Sequence, residues 1–173
     1  MRITKYRTEL DTNRHNVLVK EAAINYVCDR MDSPQLVVKM FNDVFGLNRM
    51  AEEYVYMLAL SAAYKVLGVF EVSHGTVSMA VASPREIFIR LLLSGASHFV
   101  ICHNHPSGDC TPSKEDIGLT VRFKRMFWFM EIIFADHIIT DSGYYSLKKT
   151  TFYKVCLFVV LVSGLRLWQM YRS

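Results

Sequence analysis

An α/β fold of the α+β sandwich type, a mixed β-sheet flanked by helices, is predicted for this chain by three observations. Of its 173 residues 51% are hydrophobic and 21% charged, enough apolar surface for one domain with a real core. Short alternating or wholly apolar runs of strand character recur along its length. The helical stretches among them open on serine–proline pairs, which cap and start helices. From residue 53 onward the order reads strand, strand, helix, strand, helix, strand, strand.

Taken in order, the first dozen residues are polar and read as irregular. Apolar residues at helical spacing (Val17, Ala22, Ala23, Tyr26, Val27) predict a helix over Asn16 to Met31. Ser33-Pro34 starts a second helix through Val37, Met40, Phe41 and Val44, which stops at Gly46. Residues 1–50 are thus expected to form an N-terminal helical segment. Glu53 to Leu60 alternates and is rich in Tyr, Val and Met, and Lys65 to Ser73 follows as a second strand. The turn between them, Ser61 to Tyr64, contains few residues that favour turns. His74-Gly75-Thr76 marks a loop. Ser83-Pro84 opens a helix over Pro84 to Leu93, with Ile87, Leu91 and Ser94 on one side. Ser97 to Cys102 is a short apolar strand, and a loop runs from His103 to Thr111. Pro112-Ser113 opens a helix to about Met130. Strands over Ile132 to Ile139 and Tyr144 to Leu147 complete a domain spanning 51–149. Phe127-Trp128-Phe129 resembles a base-stacking surface but reads better as a helix end packed on the sheet. The apolar tail, 150–173, leaves three readings open: an extra strand, a partner-docking segment, or the product of a frame disruption.

The net charge of +4 invites a nucleic-acid partner, but its distribution does not support one. Residues 151–173 hold Lys154, Arg166 and Arg172 and no acid, so residues 1–150 carry 17 basic and 16 acidic groups. A phosphate-binding surface usually needs a basic stripe, and none is visible. The four cysteines, Cys28, Cys102, Cys110 and Cys156, make no C-x-x-C pair, and the N-terminus has no apolar signal region. Free thiols in a reducing cytoplasm are the simplest expectation, with Cys102 as a small core residue. Val155 to Val162 is apolar but falls short of the about 20 residues of a membrane span, so no membrane partner is expected.

The chemistry concentrates in HNHPSGDCTPSKED, residues 103–116. His103 and His105 are two apart at the end of a strand, and residues i and i+2 of extended chain project to one face. Asp116 lies one turn into the following helix, from where its carboxylate can return to the same point. Two histidines and one carboxylate make the three-ligand shell of a catalytic zinc and leave a position for water. Pro106, Pro112 and Gly108 stiffen and turn the loop that joins them. Ser113 suits a helix cap, an oxyanion donor, or both. The base that such a water needs is sought among acids elsewhere; Glu52 and Glu53, at the head of the first strand, are the candidates. His15, His74 and His98 read as ordinary surface or core histidines. His137 reads as a structural residue or a support behind the ligands.

The pattern H-x-H, seven residues, Ser, two residues, Asp, with an upstream Glu, resembles the JAMM motif of the MPN/JAB-domain metalloproteases. HNHPSGD, PSKEDI, SHGTVS, ASPREIF, DHIIT and YYSL are similar to the RadC-like branch of that family, over roughly Ala51 to Lys149. The resemblance implies a cytidine-deaminase-like fold, one zinc ion, and hydrolysis of an amide or isopeptide bond by a metal-held water. By position it makes His103, His105 and Asp116 the ligands, Glu53 the general acid/base and Ser113 the oxyanion partner. The implied partner is a protein or peptide substrate. A DNA-repair association and a non-catalytic scaffold are the competing functions. Two features depart from the family's pattern: Ser61-Ala62-Ala63 replaces the usual polar turn, and the tail after Lys149 has no counterpart.

Overall fold

The computed structural model describes residues 1–75 and 83–149; Thr76 of the expected loop and the apolar tail lie outside them. Seven strands form one sheet: β1 (Arg2–Leu10), β2 (Asn16–Asn25), β3 (Glu53–Leu60), β4 (Val66–Gly75), β5 (His98–Asn104), β6 (Ile133–Thr140) and β7 (Tyr144–Ser146). Three helices cover it: α1 (Pro34–Phe45), α2 (Pro84–Ser94) and α3 (Lys114–Trp128). The strand order is β2-β1-β4-β3-β5-β6-β7, with β1/β4 and β5/β6 parallel and the other pairs antiparallel. The mixed α/β sheet flanked by helices is the fold class that the sequence predicts.

Central strands buried on both faces read as continuous apolar runs, and β3 shows why. Its Val55, Met57 and Ala59 pack with Ile87 and Leu91 of α2 and Leu119, Phe123 and Phe127 of α3. Its Tyr56, Leu58 and Leu60 face the other way, onto Val37, Met40 and Phe41 of α1. The α2/α3 layer is centred on Phe99, whose ring lies 4.6 Å from Phe127 and 4.8 Å from Phe134. Phe127 is therefore a core residue, whereas Trp128 and Phe129 are exposed. Cys102 is fully buried, as expected.

The helix expected over Asn16 to Met31 is not formed, and the first dozen residues are not irregular. Both regions belong to the hairpin β1–β2, whose inner strand runs parallel to β4 with Lys5 opposite Val69. The turn lies in Asp11 to His15, where Asp11 Oδ1 accepts the amides of Asn13 and His15. Val17, Val19 and Ile24 are β-branched and favour the extended chain. Most of β2 is only half-buried or exposed, so its burial prints no clean alternation into the sequence.

The helices start where their sequences predict, with side-chain caps at Ser33 and Ser113 but none from Ser83. Ser33 Oγ accepts the amide of Leu36, and α1 ends on Gly46 in the left-handed region, φ 64°. In the turn after β3, Ser61 supplies the missing turn chemistry: its carbonyl accepts from Tyr64 N and its hydroxyl from Lys65 N. Tyr64 takes the left-handed conformation there, φ 58°. Among the described residues no helix is long and apolar enough to cross a membrane.

Phe99→Ala removes the ring around which the α2/α3 layer packs. The expected cost is about 3–5 kcal/mol in urea unfolding; a loss below about 1 kcal/mol would show that this layer does not depend on it.

Candidate metal centre

Sheet register places three of the five expected side chains on one face. In the β3/β5 pair Val55 lies opposite His103. Cross-strand partners share a face, as do residues two apart in a strand, so Glu53, Val55, His103 and His105 all point towards the layer of α2 and α3. His105 continues β5 by one bond, its amide donating to Thr140 O. Helix α3 starts on that same face. Its N-cap, Ser113, and its third residue, Asp116, form a capping box: Asp116 N donates to Ser113 Oγ, while Ser113 N donates to Asp116 Oδ2 at 2.7 Å. The box that starts the helix thereby aims the carboxylate of Asp116 at the histidines.

The result is a tight cluster. His103 Nε2 lies 3.1 Å from His105 Nε2 and 3.3 Å from Asp116 Oδ1, and His105 Nε2 lies 3.5 Å from Asp116 Oδ2. Glu53 Oε1 is 3.9 Å from His103 Nε2. Tetrahedral zinc bound at about 2.0–2.1 Å separates its ligand atoms by about 3.3–3.4 Å, so the three spacings fit one ion. His103 and Asp116 form the buried floor, with side-chain exposures of 0% and 3%; His105 and Glu53, at 17% and 15%, line the mouth. Of the two candidate acids, Glu53 reaches the cluster, and Glu52 is exposed.

Hydrogen bonds orient both rings. His105 Nδ1 donates to Asp109 O at 2.7 Å, which leaves a lone pair on the Nε2 of the neutral ring. The loop that presents this carbonyl turns at Gly108, φ 86°. His103 Nδ1 lies 3.1 Å from His137 Nε2, so in a neutral His103 bonded to His137 through its Nδ1–H the Nε2 is free as well. With both rings neutral in these tautomers, two lone pairs would face each other across 3.1 Å and repel; a proton held on His105 Nε2 beside Asp116, or a shared cation, turns that repulsion into attraction. His137 also groups with His103 and Asp116 by distance alone. Its nitrogen, however, meets the far side of the His103 ring, behind the point where His103, His105 and Asp116 converge.

Charge at the site follows from burial and pairing. Burial opposes the ionised form of Asp116, but the neighbouring imidazoles of His103 and His105 and the hydrogen bond from Ser113 outweigh it and hold the carboxyl well below its usual range. The hydrogen bond to Asp116 raises His105 against its own burial. Complete burial, with His103 nearby, pushes His137 far down and keeps its ring neutral. Ser113 Oγ donates to Asp116 Oδ2 at 2.7 Å, so its hydroxyl is engaged in the cap.

Sequence reasoning missed two residues that shape this site. Asn104, the middle residue of H-N-H, points to the opposite face and is 1% exposed. Its Oδ1 accepts Tyr54 N at 2.8 Å, and its Nδ2 donates to Glu52 O and Met50 O. It clamps the chain on both sides of Glu53. Thr120, one helical turn beyond Asp116, bonds His137 Nδ1 at 2.7 Å. A polar residue in an apolar strand, and a hydroxyl four residues after a ligand on its helix, were the signals available for them.

The chain is similar to known proteins over most of its length. The family model of the RadC-like JAB domain matches residues 31–152. A "UPF0758 protein" of Clostridium botulinum is 37% identical over 121 residues, 69% of this chain and 52% of the relative. One from Clostridium novyi is 40% identical over 119 residues, 65% of this chain and 52% of the relative. A third, from Pelobacter propionicus, is 36% identical over 117 residues, 68% and 50% of the two chains. The chain spans about half the length of the curated relatives it matches.

Asn104→Leu keeps the branching of the side chain but strands the amide of Tyr54 and the two carbonyls. A stability loss of about 1–3 kcal/mol is expected in chemical denaturation, with broadened backbone NMR signals at residues 51–54. Unchanged signals there would remove Asn104 as the clamp on Glu53.

Proposed function

The chain belongs to the RadC-like JAB domain family, and from that premise we propose that it is a zinc-dependent hydrolase cleaving a peptide or isopeptide bond. The observation that carries this reading is the convergence of His103 Nε2, His105 Nε2 and the Asp116 carboxylate at 3.1–3.5 Å, with Glu53 alongside. His103, His105 and Asp116 would hold the ion, with Glu53 beside them at 3.9 Å from His103 Nε2. Zinc bound there supplies Lewis acidity, which makes water a better nucleophile at neutral pH and polarises an amide carbonyl.

The chain's own residues do the rest. Glu53 at the mouth accepts a proton from water as the water oxygen bonds to the carbonyl carbon. It then gives that proton to the departing nitrogen as the C–N bond breaks, leaving a carboxylate and an amine. Ser113 turns its hydroxyl from Asp116 to the developing oxyanion, beside the positive N-terminal end of α3. Asn104 fixes the backbone from which Glu53 reaches in. The burial of His103 and Asp116 keeps their geometry unchanged while the exposed side of the cluster admits substrate. A protein substrate suits an amide-cleaving site that lies at the end of the sheet, open on the side of Glu53 and His105.

Purified protein is expected to hold about one equivalent of zinc by elemental analysis, and His103→Ala and Asp116→Asn less than about a tenth. Glu53→Gln should keep its zinc and lose at least about a hundredfold in cleavage of peptide and isopeptide substrates. Wild-type protein with under half an equivalent would refute the metal site. A zinc-loaded Glu53→Gln as active as wild type would refute the assigned chemistry. Zinc without any amide cleavage in the wild type would favour the scaffold reading.

A further inference from the structure

Behind His103 lies a line of buried polar groups that the reaction itself does not use. His103 Nδ1 meets His137 Nε2 at 3.1 Å; His137 Nδ1 meets Thr120 Oγ1 at 2.7 Å; and Thr120 Oγ1 donates to Asp116 O at 2.8 Å. His103 and His137 have no exposed surface, and Thr120 is 5% exposed. The line starts on β5, crosses β6 and ends on α3, at the backbone of the residue whose side chain faces the histidines.

A hydroxyl has one proton, and that fixes the direction of the line. The carbonyl of Asp116 can only accept, so the Thr120 proton goes to it. Thr120 Oγ1 must then accept from His137 Nδ1–H. A neutral His137 so protonated has its lone pair on Nε2, where it accepts His103 Nδ1–H. His103 is left with its lone pair on Nε2, the nitrogen that faces His105 and Asp116. Of the tautomers open to two neutral rings, this combination alone satisfies all three contacts of the line; it leaves the His103 lone pair 3.3 Å from Asp116 Oδ1, where a proton on His105 Nε2 or a cation offsets the repulsion.

We infer that Thr120 and His137 form a tautomer relay that holds His103 as the Nδ1–H form and so presets it as a metal ligand. Both are positioning residues. The inference rests on the metal-site reading, but the tautomer itself is a property of the zinc-free protein. Loss of the Thr120 hydroxyl leaves His137 Nδ1–H without an acceptor. The ring then gains by moving its proton to Nε2 and donating to His103 Nδ1. That places the His103 proton on Nε2, and zinc must reverse the change before it can bind. The relay also ties ligand to ligand: it anchors on the carbonyl of Asp116, so the β5 and α3 halves of the site are set by one chain of bonds.

The test compares the full chain with Thr120→Val, Thr120→Ser and His137→Leu. Two-bond 15N–1H correlation spectra of the zinc-free proteins read the tautomers directly. Wild type and Thr120→Ser are expected to show His103 as Nδ1–H, and Thr120→Val as Nε2–H or a mixture. Chelator competition should give a zinc affinity about 10–100-fold weaker for Thr120→Val and His137→Leu, recovered in Thr120→Ser. Thermal unfolding of the zinc-free proteins separates a merely structural effect, which would lower Tm without moving the tautomer. An Nδ1–H His103 in a folded Thr120→Val, or an affinity within twofold of wild type, overturns the relay. Wild type that keeps the Nδ1–H tautomer yet binds no zinc overturns the metal site and, with it, the presetting role.

Discussion

The carboxylate of Asp116 is buried and ionised, and a buried charge persists only where partners replace the water it has lost. Its partners come from different parts of the fold. Ser113, at the start of its own helix, supplies an amide and a hydroxyl, and the end of β5 supplies two imidazoles. Removing one partner from such a group typically costs about 3–5 kcal/mol, more than any single cap or surface ion pair. The need to satisfy Asp116 thus holds the first turn of α3 against the end of β5. The loop, the cap and the tautomers of the rings can be understood as the means by which that junction is kept.

The junction has two sides with different jobs. Towards the mouth, Glu53 and His105 remain accessible enough to meet water and substrate. Towards the interior, His137, Thr120 and Asn104 are closed in, and each is bonded on every side that matters to the site. No buried side-chain nitrogen or oxygen among the described residues lacks a partner. A polar network of this kind rigidifies when complete and destabilises when incomplete. The histidine–carboxylate cluster accordingly rests on the part of the protein least able to rearrange.

How much of this could be read from the chain alone depended on whether the determinants were local. The ligand spacing, the Pro112-Ser113 helix start and the buried run of β5 are consecutive residues, and they were legible. So were α1, α2 and the strands of the central sheet, because both-face burial or a proline start leaves a mark within a few positions. The N-terminal hairpin was not legible: its first strand reads as irregular chain and its second as a helix. Its extended form depends on β4, some sixty residues away, and its outer strand is too exposed to print a period of two. Glu53 was separable from Glu52 only through resemblance, since their distinction lies in strand parity and in the register of β3 on β5. Thr120 was invisible for a related reason: its partner, His137, comes from a different strand.

Strand β5 is lined on one face by the metal site and on the other by the Asn104 clamp, and the two alternate residue by residue. An insertion or deletion of a single residue within it would therefore do more than displace a ligand. It would exchange the two faces, turning Asn104 towards Asp116 and His103 towards Tyr54 and the α1 layer. A change of two residues would restore the faces but break the pairing of Val55 with His103. In this sense the H-x-H spacing is enforced by the parity of the sheet, and the strand behaves as a ruler with two scales printed on opposite sides.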